Sequence, residues 1–169
     1  IHHETVGDAL FEIPLVRPIL PEEVPLRLLR ATEMIADVIG ETPKSFRSPR
    51  LWGSTAVVNT LESLGYLADA SYPLYFYRER LSPYHPSRYD WTKEGDLKIL
   101  EIPNFADITV PSNDPYGRDL DQWPLFRTEG ASVVMQHIEN FVSYISQKGL
   151  TTCVLCFYFH PWEFVEMPS

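Results

Sequence analysis

His160 stands at the end of an apolar run, residues 151–159, and Pro161-Trp162-Glu163 follows at once. A β-branched and aromatic run of that length is expected to be a buried parallel strand, and the proline stops it. Such a strand delivers one titratable ring to the rim of an α/β domain, where it can protonate a leaving amine near neutral pH. A histidine that merely ends a strand with its ring satisfied is the alternative. Upstream, Phe46-Arg47-Ser48-Pro49-Arg50-Leu51-Trp52-Gly53 carries a guanidinium able to grip a carboxylate through two bonds. Pro49 stiffens the turn, so that the backbone N–H of Arg50 can serve as an oxyanion donor. A lone arginine at a tight surface turn is the plainer account. His2 and His3 are candidate metal ligands, although neighbours on a strand face opposite ways and rarely bind one ion together. A terminal histidine pair without a role is again the alternative. Cys153 and Cys156 have the C-x-x-C spacing of redox or zinc motifs, but on a strand they point to opposite faces and are expected to stay unbridged.

The elements that must position these residues alternate. Pro21-Glu22-Glu23 opens a helix with Leu28, Ala31, Ile35 and Val38 at helical spacing, and Gly40 closes it. A short strand over 44–48 precedes a helix capped by Ser54, with Val57, Val58, Leu61 and Leu64 on one face and Gly65 as its stop. A strand over 66–71 leads to a long aromatic excursion, 72–96, then a strand over 98–102 stopped by Pro103. Residues 111–124 form a loop. A helix over 128–147, with Val134, Ile138, Phe141 and Ile145 on one stripe, leads into the strand that carries His160. No Asn-Gly or Asp-Gly hairpin turn separates adjacent strands. That order is an α/β rhythm with a mostly parallel sheet, whose chemistry belongs at the C-terminal ends of the strands.

Taken in order, these motifs resemble the later motifs of the polysaccharide deacetylases, metal-dependent amide and ester hydrolases. The resemblance runs from His2 to Glu163 and includes Tyr89-Asp90-Trp91 and Glu101-Ile102-Pro103, the latter similar to a branch with peptidoglycan deacetylase-like proteins and ring-opening amidases. It implies the C-terminal part of a deformed, incomplete β/α barrel, forming one partial catalytic domain over 1–169. It implies His160 as general acid, Arg47 as the holder of a catalytic aspartate, and the Arg50 N–H on the oxyanion. Trp91 and Trp52 are expected to line a sugar pocket, with Asp90 orienting the acid histidine. A divalent metal, by its chemistry zinc, would take His3 or His2 as a ligand. The T-F-D-D-G-like segment that supplies the family's base and first ligand is absent, so the ligand set is incomplete. The chain is therefore expected to be part of a longer enzyme, silent alone, with Arg47 facing water or another partner. Association with a missing N-terminal segment or with another copy would cover an unpaired barrel edge. The implied substrate is an N-acetylated amino-sugar polysaccharide; a small nitrogen heterocycle or ureide, and a non-catalytic carbohydrate-binding remnant, are the alternatives. The tyrosines at 72, 75, 77 and 84 can offer stacking surface or simply pack their own loop, whereas His85 and His137 are expected to be structural.

Composition sets the outer limits. With 169 residues, 44 % of them hydrophobic, one domain with a sizeable core is expected. The net charge of −9 disfavours nucleic acid, whose phosphates need basic patches. No apolar run approaches the roughly 20 residues of a membrane span, and nothing at the start resembles a signal peptide. Nothing addresses the chain to a compartment; two unbridged thiols favour a reducing, cytoplasmic one.

Overall fold

The computed structural model describes residues 3–6, 9–12, 21–113 and 129–159. Its centre is a three-stranded parallel sheet in the order β3-β4-β5, with β3 at Ser45–Phe46, β4 at Ala68–Asp69 and β5 at Leu100–Glu101. Phe46 lies opposite Asp69, which lies opposite Glu101. Ahead of the sheet come an antiparallel hairpin, β1 (His3–Val6) and β2 (Ala9–Glu12), and helix α1 (Val24–Ile39). Helices α2 (Thr55–Ser63), α3 (Leu74–Tyr77) and α4 (Ala131–Gln147) complete the described elements. The molecule is thus a mixed α/β protein with a small open parallel sheet.

Local chemistry accounts for the boundaries. Ser54 accepts the Val57 N–H at the start of α2. Gly40 ends α1 in a left-handed conformation that favours glycine. Val58 and Leu61 of α2 are fully buried, and Val134, Phe141 and Ile145 of α4 are buried with Ile138 packed beside them. Both stripes are as their spacing predicts. Strand β3, helix α2 and strand β4 form a β-α-β unit, and the Glu62 carboxylate on α2 accepts the backbone N–H groups of Lys98 and Ile99, fixing the entry into β5.

Three expectations need correction. Only part of the stripe on α1 faces the core: Leu28 packs against it, but Ile35 and Val38 are exposed, Val38 at 85 %, while Thr32 is buried and bonded to the Tyr66 hydroxyl at 2.9 Å. Helical spacing identifies an apolar row but not the side on which a neighbour sits. Strands His3–Val6 and Ala9–Glu12 pair antiparallel, so the described strands are not all parallel. Residues 151–159 form no strand ladder. Only Cys156 bridges to Asn104, with the Phe105 N–H donating to the Cys156 carbonyl at 2.9 Å. Pro103 has no N–H to offer, and the Ile102 and Asn104 N–H groups are taken by Asp69 and Tyr72, so only one register point remains.

The long excursion 72–96 folds inward. The ring of Tyr72 lies 5.0 Å from that of Tyr77 and 5.8 Å from those of Tyr84 and Trp91. Tyr72, Tyr84 and Trp91 are buried, so packing of their own loop is what these rings do. Burial pushes the Tyr72 phenol up to about 12 and the Tyr84 phenol higher still. Gly53 permits this arrangement, because a Cβ there would lie 2.5 Å from the Trp91 ring. Gly53→Ala is therefore expected to destabilise the fold by roughly 1–3 kcal/mol through overpacking, read from the urea midpoint.

Candidate active site

Parallel strands of two residues each bring the same end of the sheet into register. Arg47 follows β3 directly, Asp69 is the last residue of β4, and Glu101 is the last of β5. All three stand at C-terminal strand ends, the edge on which parallel α/β folds assemble their chemistry. Asp69, Ser71, Glu101 and Asn104 are fully buried there.

The bonding is dense. The Ser71 hydroxyl donates to Asp69 Oδ1 at 2.5 Å and accepts the Ser48 N–H at 2.9 Å. Glu101 Oε1 accepts the N–H groups of Ser71 and Tyr72 at 3.0 and 2.8 Å. Asn104 Nδ2 donates to the Ala70 and Tyr72 carbonyls. Burial pushes both carboxyls above their ordinary range; the charge of Asp69 pushes Glu101 further, while bonds from Ser71 and the field of Arg47 restrain Asp69.

Arg47 is half-buried and, of the two expected outcomes, meets other partners rather than water. Its Nε donates to the Ala70 carbonyl at 3.1 Å and its Nη2 to Cys156 Sγ at 3.1 Å, with the Tyr158 ring 5.6 Å from the guanidinium carbon. The carboxylate it does face electrostatically is Asp69. Both cysteines are free thiols, and the Cys156 sulfur serves as an acceptor for Arg47.

The other expected residues scatter. Arg50 lies in the helical turn Pro49–Leu51, and Trp52 beside it is 69 % exposed. Trp91 is in the core, whereas Asp90 is exposed and holds its own turn by accepting the Thr92 N–H and hydroxyl. His3 begins β1. His160 and His2 lie outside the described residues. Among the described residues no three His, Cys, Asp or Glu side chains come together to hold an ion.

Sequence reasoning missed Asp69 and the partner of His137. A charged residue at the end of a short apolar strand was the available signal for Asp69, since an unpaired acid is almost never fully buried. His137 Nδ1 lies 2.7 Å from Oδ2 of the buried Asp107, which also accepts from Asn140 and from both the N–H and hydroxyl of Thr109. Burial would push the Asp107 carboxyl up, but these bonds outweigh it and hold it below the ordinary carboxylate range. His137 thus ties α4 to the segment after β5. His85 Nδ1 lies 3.1 Å from the Ile99 carbonyl, so both rings have structural partners.

No protein-family model matches this chain, and no curated protein matches it. Among the described residues no helix is long and apolar enough to cross a membrane.

Arg47→Ala should destabilise the fold by about 1–3 kcal/mol, because two half-buried acceptors lose their donor and Asp69 loses a favourable field. Arg47→Lys is expected to recover little, since a single ammonium cannot reproduce the divergent bonds to Ala70 and Cys156. Urea unfolding of the two variants at pH 7 checks both statements.

Proposed function

We propose that this chain forms part of a metal-dependent amide hydrolase that removes N-acetyl groups from an amino-sugar polysaccharide, its sheet belonging to an incomplete β/α barrel. The observation that carries the proposal is the meeting of Arg47, Asp69 and Glu101 at the C-terminal ends of three parallel strands. Two buried acids beside a guanidinium at such a rim support a catalytic edge over a purely structural one, because buried charges are costly unless they have a task or a partner.

Six residues of the chain have definite parts in this proposal. Arg47 holds a carboxylate at the rim. The backbone N–H of Arg50, early in the turn Pro49–Leu51, has no acceptor within that turn and can receive a developing oxyanion. Trp52 offers an exposed ring against which a sugar can stack. His160 gives a proton to the departing amine. His3, with His2 as the other candidate, would contribute to holding the ion. When bound, a divalent ion such as zinc polarises the carbonyl and lowers the pKa of its water.

Turnover of N-acetylglucosamine oligomers by the protein at its native length tests the proposal, with cyclic ureides as the comparison substrate. His160→Ala should lower kcat by about 10²–10⁴-fold with the fold intact. Wild-type turnover in that variant would remove His160 from the mechanism, and a higher kcat/KM on the ureide would reassign the substrate. The 169-residue chain by itself should bind zinc more weakly than about 1 µM in a calorimetric titration, since one or two histidines cannot complete a site.

A further inference from the structure

The two buried acids at the rim pose a bonding problem that their neighbours do not solve. Asp69 Oδ2 and Glu101 Oε2 are buried, and neither has a donor. Their other oxygens are fully engaged, by the Ser71 hydroxyl and by the Ser71 and Tyr72 amides. The two side chains occupy facing register positions on β4 and β5 and are within hydrogen-bonding reach of each other. Two carboxylates cannot both be ionised in such a place, and a buried acceptor without a donor costs about 1–3 kcal/mol.

We infer that Asp69 and Glu101 share a single proton across the β4–β5 pair, with Glu101 the neutral acid donating from Oε2 to Oδ2 of an ionised Asp69. One proton satisfies both orphaned oxygens at once. It leaves the pair with one negative charge, which the field of Arg47 favours. The groups bonded to the pair fit this assignment, while Asn104 Oδ1, also buried at the rim, remains without a donor. Ser71 donates to the ionised partner, the Ser71 and Tyr72 amides bind the carbonyl oxygen of the neutral one, and the Tyr72 and Tyr84 phenols are held un-ionised by burial. The Cys156 sulfur accepts from Arg47 Nη2. The rim therefore carries a stored proton that bolts two strands together, and this holds whether or not the chain belongs to a hydrolase.

The sign of the pH dependence follows. Unfolded, Glu101 loses its proton in the ordinary carboxylate range; folded, it keeps it well above that range because of burial and of Asp69. Between those limits the folded chain holds more protons than the unfolded one, so stability falls as pH rises. Glu101→Gln reproduces the neutral acid, since its amide can donate to Asp69 while its carbonyl accepts from Ser71 and Tyr72.

Infrared spectroscopy of the unaltered chain at pH 7 should reveal a protonated carboxylic acid band, absent in Glu101→Gln. Urea unfolding from pH 6 to 9 should show the wild-type folded-to-unfolded ratio falling by up to about tenfold per pH unit, and a flatter profile for Glu101→Gln. Absence of the band in the unaltered chain, or equal slopes in wild type and Glu101→Gln, overturns the inference. Because the band needs no variant, it decides the matter even if Glu101→Gln does not fold.

Discussion

The parallel register that sets Asp69 beside Glu101 is the constraint around which this protein is arranged. Two-residue strands contribute few ladder bonds, so the sheet depends on what happens just beyond their ends. There the chain turns its amides inward: Ser71 and Tyr72 bind Glu101, Ile102 binds the Asp69 carbonyl, and Asn104 gathers Ala70 and Tyr72. Side chains replace the missing ladder. The acids are thus the framework of the rim, and Arg47 sits half inside beside them, bonded to Ala70 and Cys156.

This arrangement explains why the aromatic excursion is so long. Tyr84 exchanges both backbone bonds with Glu101, so the excursion returns as a partial antiparallel edge beside β5. Between Tyr72 and Tyr84 the chain must cover a buried acid from above, and large rings do this with little entropy loss per unit area. Gly53 and Trp91 lock the cover to the start of α2.

Periodic features were legible in the sequence because they repeat. The faces of α2 and α4, the Ser54 cap and the Gly40 stop each rest on spacing or on local backbone chemistry. What escaped was set by tertiary partners. Nothing in the pattern of α1 reveals that Thr32, rather than Val38, meets the core. The run ending at Phe159 has strand composition, yet Pro103 denies it a ladder. Arg47 was visible as a gripping residue, but the carboxylate facing it lies 22 positions away at a strand end that composition does not single out. Glu101 stood out only as part of a motif, with no hint that it is neutral.

The outward row on α1 has a colloidal consequence. Leu26, Met34, Ile35, Val38 and Ile39 are all more than two-fifths exposed on one short helix, a greasy strip on a molecule carrying a net charge of −9. Mutual repulsion between like-charged molecules is what keeps such strips apart in solution. Near the isoelectric point of about 4.9 that repulsion vanishes. Acid is also where the carboxyl pair at the rim is least strained, since its proton is then carried in the unfolded chain as well. The acidity that eases the interior therefore strips the surface of its protection, and the conditions kindest to this sheet are those in which its molecules most readily cling together.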